Sequence, residues 1–204
     1  MQVISKGGKS VLADDEILSA TVLPDYTAMA GLGKFNASDL RKQLTGKMAS
    51  VSPFIDNYSN GFYASASPKD LETMLQLLYL SFTSPRFDES DFNVLMDKLQ
   101  SAYQNMASNP MFQLQDTLTS TLYNHSPRRE MLTYDNLSQI DFAKMQQIYD
   151  KLYRNADDFT YTIVGNVDLE TLKPLVEKYI GSLTQHQTGL FVGRRRRTVS
   201  AWAR

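Results

Sequence analysis

Histidine and cysteine, two residue types that commonly act in catalysis and metal binding, are scarce or absent in this 204-residue chain. Histidine occurs only at His125 and His186, and the absence of cysteine excludes thiol catalysis and disulfide bonds. His125 and Asp141 together with a serine suggest a hydrolytic triad, in which the histidine activates the hydroxyl as a nucleophile. However, no G-x-S-x-G sequence or comparable setting surrounds any serine. We therefore assign no catalytic residue.

Three consecutive carboxylates, Asp14, Asp15 and Glu16, offer the oxygen ligands that Ca²⁺ or Mg²⁺ prefers. They also precede an apolar-periodic stretch, and acidic side chains interact favourably with the positive end of the helix dipole. We favour the second interpretation, which predicts a helix start and no metal site.

Three other segments have the composition of binding motifs without their full pattern. The segment SKGGKS, Ser5 to Ser10, lacks the first glycine of a phosphate loop, and no strong strand precedes it, so we predict a turn. Gly165-Asn166 offers one glycine where a dinucleotide fold needs three, and is also predicted to be a turn. Arg194 to Arg197 could contact nucleic acid or an acidic partner, but a solvated linker is the interpretation we favour.

The bulk composition excludes several classes of protein. The formal net charge of −1 predicts no general attraction to nucleic acid or anionic lipid. The apolar runs are far shorter than the roughly 18–20 residues of a membrane-spanning helix, and residues 1–12 lack the apolar core of a signal peptide. We expect either an intracellular protein or an internal piece of a longer one. The start of the chain, with no strand of useful length, favours the piece.

The first half of the chain is predicted to form two helices and a strand pair. One helix begins at the acidic residues and is interrupted at Pro24, and another begins at Asn36 and ends at Gly46. Val51 to Ile55 and Gly61 to Ser67 are predicted to be paired strands, with Asn57 and Asn60 in the connection. Strand alternation places Phe62, Ala64 and Ala66 on one face of the pair and Tyr63 and Ser65 on the other.

Helices dominate the second half. Ser67 and Pro68 begin a helix whose apolar stripe consists of Leu71, Met74, Leu75, Leu78 and Phe82. Further helices are predicted over Asp88 to Ala107, Phe112 to Tyr123, and from Asp141 to Tyr153. The stretch Phe159 to Val164 is β-branched and aromatic and is predicted to be a strand. A last helix begins at Asp168 and ends at Gly181.

The order of these elements predicts the fold class. Paired strands, a run of helices, and a final strand and helix indicate an α+β fold, a two-layer sandwich with helices on one face of a largely antiparallel sheet. Residues 1–184 are predicted to form a single domain. Residues 185–204 show no periodicity and are predicted to be a linker or disordered tail.

Three segments carry a resemblance to a known family. They are GLGKFNASDLRKQLTGK (Gly31 to Lys47), SPKDLETMLQLLYLSFTSPRFD (Ser67 to Asp88) and YTIVGNVDLETLKPLVEKYIGSL (Tyr161 to Leu183). In this order they resemble the pitrilysin/insulinase family of zinc metallopeptidases, the inverzincins. The resemblance covers nearly everything from Gly7 to Leu183. It is greatest to the inactive third domain of the long bacterial forms.

The resemblance implies a zinc site that this sequence lacks. Active domains of the family carry H-x-x-E-H, which places two imidazoles on one helical face, and a downstream glutamate. The corresponding segment here, Val11 to Thr21, reads VLADDEILSAT, and no glutamate occurs between Glu89 and Glu130. We therefore predict no metal ligand in this chain, with zinc bound by a catalytic domain of the parent protein.

The leading functional hypothesis is a non-catalytic domain of a zinc metallopeptidase that helps to enclose a chamber for peptide substrates. We expect no activity from this chain alone and a zinc metalloendopeptidase as the parent. Its partners would be the catalytic half and the peptide substrate, and the isolated domain would self-associate through the surface left uncovered. The resemblance implies the periplasm or cell envelope of a bacterium. The alternative is a stand-alone scaffold or peptide-binding protein of the same fold.

Contacts with substrate or with a neighbouring domain are predicted at aromatic residues of the strand pair, namely Tyr58, Phe62 and Tyr63. One of the two strands, Val51 to Ile55 or Gly61 to Ser67, is expected to offer a free edge to which an extended peptide can add.

Overall fold

Four antiparallel strands form one sheet in the order β2-β3-β1-β4 in the computed structural model, which describes residues 1–183. The strands are β1 (Gln2–Lys6), β2 (Ala49–Ile55), β3 (Ser59–Ala66) and β4 (Thr160–Thr162). This confirms the predicted antiparallel sheet and the strand pair β2–β3. The predictions for His186, for Arg194 to Arg197 and for the tail 185–204 lie outside the described residues.

The N-terminal strand β1 corrects the expectation that the chain begins without a useful strand. β1 lies inside the sheet, where Val3 is opposite Phe62 of β3 on one side and Tyr161 of β4 on the other. Its five residues show only a short alternation before the glycines begin, so the local pattern is weak. The strand forms because two non-local partners satisfy its backbone and because Val3 is completely buried.

Seven α-helices accompany the sheet in the part of the chain that the structure describes: α1 (Ile17–Ala30), α2 (Ala37–Gln43), α3 (Leu71–Thr83), α4 (Glu89–Ala107), α5 (Pro110–Leu122), α6 (Phe142–Tyr153) and α7 (Leu169–Tyr179). Most of their starts are set by local capping, because side-chain oxygens of Asn36, Asp88, Asp141 and Asp168 accept hydrogen bonds from amides of the first turn. None of the described helices has both the length and the apolar character needed to cross a bilayer.

Helix α1 runs through Pro24, which corrects the predicted interruption. A proline inside a helix removes one hydrogen bond and costs about 3 kcal/mol. In α1 this cost is offset by burial: Ile17, Leu18, Ala20, Val22, Leu23, Tyr26 and Ala30 are all buried. Full burial of one large apolar side chain contributes about 1.5–3 kcal/mol, so several of them outweigh the proline.

The core lies between one face of the sheet and the helices. Phe62 of β3 is completely buried, and its ring packs 5.0 Å from Phe82 of α3 and 4.8 Å from Tyr153 of α6, measured between centroids. On the opposite face Tyr63 and Ser65 are exposed. The predicted division of the faces is confirmed.

Strand β4 is shorter than the predicted strand Phe159 to Val164. Only Thr160–Thr162 pair with β1, which offers Gln2, Val3 and Ile4 as partners. Phe159 is buried in the core, whereas Val164 is exposed beyond the end of the strand. The short partner strand therefore limits the ladder, although the sequence favours a longer one.

Candidate functional site

The start of α1 is where the resemblance predicts that a zinc-binding motif has been lost. The three preceding carboxylates each contact a different cation, at Asp14 Oδ1–Arg128 Nε 2.9 Å, Asp15 Oδ2–Lys144 Nζ 2.7 Å and Glu16 Oε2–Lys151 Nζ 3.4 Å. The hydrogen bond from Lys144 lowers the pKa of Asp15. Glu16 also accepts a hydrogen bond from the amide of Ala13 at 2.7 Å. Because the carboxylates have separate partners, they form a helix start rather than a cation site.

His125 lies in the loop after α5 and takes no part in a triad with Asp141. Its Nδ1 lies 2.6 Å from Ser120 Oγ, and the adjoining small cavity is lined by Asp116 and not by Asp141. Asp141 instead caps α6, where its Oδ1 accepts a hydrogen bond from the amide of Lys144 at 2.8 Å. The triad considered from the sequence is therefore not assembled.

Helix α4 occupies the position at which the resemblance predicts the third zinc ligand. Its one glutamate, Glu89, is exposed in the first turn. The nearby carboxylates of Asp88 and Asp91 lie 2.6 and 3.5 Å from Nη2 of Arg86, which neutralises them. Within residues 1–183, no group of three or more histidine, cysteine, aspartate or glutamate residues is placed to hold a metal ion.

A groove of about 450 Å³ lies between α1, α2 and β2. Its lining is mainly apolar and includes Leu40 of α2, Leu44 directly after α2, Val51 of β2 and Leu77 of α3. Arg41 and Arg86 also line it, whereas no described lining residue is an acid or a histidine. The groove is therefore suited to apolar side chains with a negative charge nearby, and not to a metal ion.

The one ionisable hydroxyl in the groove is committed to the fold. Tyr149 donates a hydrogen bond from its hydroxyl to the carbonyl oxygen of Ser81 at 2.7 Å. Burial raises the pKa of Tyr149, so the phenol stays protonated. It cannot act as a base at neutral pH.

Strand β2 offers the free edge that an extended peptide would need. The amide of Asp56 donates to the carbonyl of Ser59 at 2.8 Å, and that of Ser67 donates to Met48 at 2.9 Å. Successive amides of a strand point alternately to its two sides. These two bonds therefore place the amides of residues 50, 52 and 54 on the side of β3. The amides of Ala49 and Val51 face the free edge.

Pro53 shortens the usable edge of β2. It occupies the next outward-facing position after Val51 but has no N–H to donate. All five consecutive residues Ala49 to Pro53 line the groove, so the groove follows the strand edge. An extended peptide can exchange hydrogen bonds with Ala49 and Val51, and finds only an acceptor at Pro53. By contrast β3, the other predicted edge, lies inside the sheet between β2 and β1.

The three predicted contact residues occupy different environments. Tyr58 at the hairpin tip is 76% exposed, and Tyr63 is 51% exposed on the open face of the sheet, where its ring stacks 4.5 Å from that of Phe54. Phe62 is completely buried, although it borders the groove beside β2, so a contact at this residue stays a prediction. The environments differ because strand alternation turns Phe62 towards the helices and Tyr63 away from them.

The segment Ser5 to Ser10 uses its amides within the protein. The amide of Gly8 donates to Asn60 Oδ1 at 3.1 Å, and the amide of Lys9 donates to the carbonyl of Asp56 at 2.8 Å. Lys9 Nζ donates to Thr21 Oγ1 at 2.8 Å. With these donors occupied, the segment does not form a phosphate cradle. A strand does precede it, contrary to the expectation from the sequence.

Sequence reasoning missed the groove because its walls come from elements far apart in the chain. One local signal was present: Leu40 of α2 and Leu44, the residue that follows the helix, lie four residues apart, and no residue of α2 is buried. Such a half-covered apolar face indicates a cleft beside the helix.

Comparisons with known proteins agree with this geometry. Residues 28–136 match the family model described as insulinase (peptidase family M16), and residues 139–200 match that of the peptidase M16 inactive domain. Two proteins described as probable zinc protease PqqL are similar to the chain. The one from Haemophilus influenzae is 25% identical over 187 residues, which cover 89% of this chain and 19% of the relative. The one from Escherichia coli is 22% identical over 192 residues, which cover 94% of this chain and 20% of the relative.

Two solved structures share the fold. The periplasmic protease PqqL from Escherichia coli superposes with a TM-score of 0.70 at 20% identity, covering 95% of this chain and 21% of that one. The ferredoxin protease FusC, solved as a mutant in complex with Arabidopsis ferredoxin, superposes with a TM-score of 0.69 at 15% identity. The match covers 91% of this chain and 20% of the FusC chain. The chain thus spans about a fifth of the length of these two curated relatives and of these two structures.

Proposed function

Because this chain belongs to the insulinase family, peptidase family M16, we propose that it is a non-catalytic domain of a zinc metallopeptidase. In this role it helps to enclose the chamber that admits peptide substrates, while another domain of the parent protein hydrolyses the peptide bond. Residues 1–184 would be this domain, and residues 185–204 a linker.

One observation carries the proposal: within residues 1–183 the fold of the family is present without a set of side chains that could bind zinc. The start of α1 has no imidazole, α4 has no glutamate beyond its first turn, and the groove beside β2 is lined by Arg41 and Arg86 among its charged residues. The guanidinium of Arg41 repels a divalent cation, whereas the charge of Arg86 is already balanced by Asp88 and Asp91. The residues present therefore do not fit zinc, and we assign no chemical step to this chain.

The groove and the free edge of β2 support a role in holding extended peptide. Ala49 and Val51 offer backbone donors and acceptors, and the apolar wall at Leu40 and Leu44 accepts side chains of the added strand. Tyr58 and Tyr63 are proposed contacts with substrate or with the neighbouring domain. Arg41 has no ion pair within residues 1–183, so an acidic residue of the peptide can approach it.

Peptide binding tests this role. We expect a fluorescein-labelled, unstructured ten-residue peptide with leucine, phenylalanine and aspartate to bind the purified chain in a fluorescence anisotropy titration, without being cleaved in the presence of Zn²⁺. Val51→Pro removes an outward donor and should weaken binding about fivefold, because one hydrogen bond contributes about 1 kcal/mol. Pro53→Thr adds a donor and should strengthen binding by a similar factor.

Two controls isolate the backbone contribution. Val51→Ala loses the side chain but keeps the N–H, so it should change affinity less than Val51→Pro, with folding checked by circular dichroism. A peptide N-methylated at alternate residues cannot complete the ladder and should bind poorly. Equal affinities for all variants would contradict edge pairing, and cleavage that a chelator abolishes would contradict the non-catalytic assignment.

The alternative of a stand-alone scaffold or peptide-binding protein predicts a different genetic context. Under the leading proposal, the gene or a neighbouring gene encodes an M16 domain with H-x-x-E-H. Sequencing both flanks decides between the two, because the absence of such a domain favours the scaffold. We further propose the periplasm or cell envelope as the location, since PqqL from Escherichia coli is described as a periplasmic protease. Fractionation of the native cells would test this.

A further inference from the structure

Helix α2 and the residue after it turn one face towards the groove beside β2. The residues of this segment that line the groove recur at the three- and four-residue spacing of a single helical face, and they include Ala37, Leu40, Arg41 and Leu44. Arg41 is the charged member of this face. The other charged residues of α2, Asp39 and Lys42, do not line the groove and pair with each other at 3.3 Å.

The positive charge of Arg41 has no counter-charge in the part of the chain that the structure describes. No carboxylate of residues 1–183 forms an ion pair with its guanidinium. Arg86, the other cation in the lining, is held by Asp88 and Asp91. Among the described residues, the groove therefore carries one unbalanced positive charge beside an apolar wall.

The register of β2 determines which side chains of an added strand meet this wall. Pro53 lies opposite Phe62, which is completely buried under the helices. Ser52 lies opposite Tyr63, which is exposed on the open face. Directly opposite residues of neighbouring strands share a face. Residues of an added strand opposite Val51 and Pro53 therefore point towards the helices and the groove, and the residue between them points to the open face.

We propose that the groove binds every second side chain of an extended peptide, and that Arg41 selects an acidic residue two positions from an apolar one. This inference rests on the proposed function, because it needs a peptide paired with the free edge of β2. The carboxylate meets the guanidinium of Arg41, the apolar side chain packs on Leu40 and Leu44, and the residue between them faces away from the groove.

The spacing defines a class of peptide. Alternation is the same in parallel and antiparallel pairing, so the apolar residue can precede or follow the acid. A segment that reads apolar-x-acid-x-apolar satisfies both orders. If the acid moves by one position, it points to the opposite face from the apolar residues, and no shift of register brings all three into the groove.

Three peptides of nearly equal composition test this spacing. They contain Leu-Ser-Asp-Ser-Leu, Leu-Asp-Ser-Ser-Leu or Leu-Ser-Asn-Ser-Leu, with an amidated C-terminus and an uncharged fluorophore, so that aspartate supplies the only carboxylate. In an anisotropy titration, the first should bind about three- to fivefold more tightly than the other two, the range of a partly exposed ion pair. The advantage should vanish at about 1 M salt, where the screening length falls to about 3 Å.

Variants of α2 test the role of Arg41. Arg41→Gln should bind the three peptides equally, and Arg41→Glu should bind Leu-Ser-Lys-Ser-Leu more tightly than the aspartate peptide. Both should fold, because residue 41 is exposed, and circular dichroism checks this. Lys42→Gln removes the neighbouring charge, which lies outside the groove lining, and is the matched control that should keep the preference of the wild type.

The outcomes separate this inference from the proposed function. Equal affinity of the wild type for the first two peptides would overturn the inference alone, since the peptides still bind. A preference that persists in Arg41→Gln would also overturn it. Failure of every peptide to bind would overturn the proposed function together with the inference.

Discussion

Asn60 shows how one polar residue fixes distant parts of the chain. It is 1% exposed, its Nδ2 donates to the carbonyl of Leu152 at 2.7 Å, and its Oδ1 accepts from the amide of Gly8 at 3.1 Å. The residue thereby connects β3, the end of α6 and the turn after β1. Both bonds are buried. If the Asn60 side chain were removed, the amide of Gly8 and the carbonyl of Leu152 would therefore have no water to replace it as a hydrogen-bond partner.

We expect Asn60→Ala to lower the free energy of unfolding by about 2–6 kcal/mol, because two buried backbone groups lose their partners at about 1–3 kcal/mol each. Urea unfolding followed by circular dichroism measures this difference. Asn57→Ala, at an exposed position of the same hairpin, is the matched control and should change stability by less than about 0.5 kcal/mol. Similar values for the two variants would show that the buried network contributes little.

The sequence alone could not reveal this role. Asparagine between two strand-like segments favours a turn, and Asn60 was assigned to the connection, whereas the structure places it inside β3. Its partners lie 52 and 92 residues away. Strand alternation did place Phe62 and Tyr63 on opposite faces, because that distinction needs only the next residue in the chain, but the sequence did not indicate which of the two faces is buried.

At the scale of elements, the sequence was most informative where the stabilising contacts are local. Asp141 and Asp168 each accept a hydrogen bond from an amide three residues later, and both helix starts are confirmed. Elements that depend on distant contacts were harder to predict. β1 needs partners from β3 and β4, and α1 tolerates Pro24 only because its neighbours in the fold bury it.

Replacing Pro24 tests the balance between burial and helix geometry in α1. We expect Pro24→Ala to raise the free energy of unfolding by about 1–2 kcal/mol, because the new amide can reach the carbonyl of Ala20. Denaturant titration provides the measurement. Pro110→Ala, at the first position of α5, should give no such gain, since an amide there has no partner within the helix. A loss of stability in Pro24→Ala would show that the ring itself is needed for packing.

At the scale of the whole molecule, the absence of a fitting donor set predicts no response to zinc. A ligand at a hundred times its dissociation constant adds about 2.7 kcal/mol of stability to the folded state. Zn²⁺ at micromolar concentration should therefore leave the thermal unfolding midpoint of the chain, without a histidine tag, unchanged within error. Mg²⁺ serves as the control, and an increase of several degrees with Zn²⁺ alone would reveal a site that the residues described do not explain.

The candidate site could be predicted only in part at this scale. The absence of an H-x-x-E-H motif follows from residue types alone, since His125 has no second histidine one helical turn away. The groove could not be predicted, because α1, α2, β2 and α3 meet there only after folding. The free edge of β2 likewise depends on the strand order, which local patterns do not determine.

The proline in β2 has a kinetic consequence. Pro53 separates the outward donors at Ala49 and Val51 from the one at Ile55, so a docked strand would gain few consecutive backbone bonds, each contributing about 1 kcal/mol, and its residence time would be short. If the groove holds peptide as proposed, such an edge would favour release of the polypeptide over its retention, and the missing N–H would also hinder edge-to-edge pairing between copies of the chain.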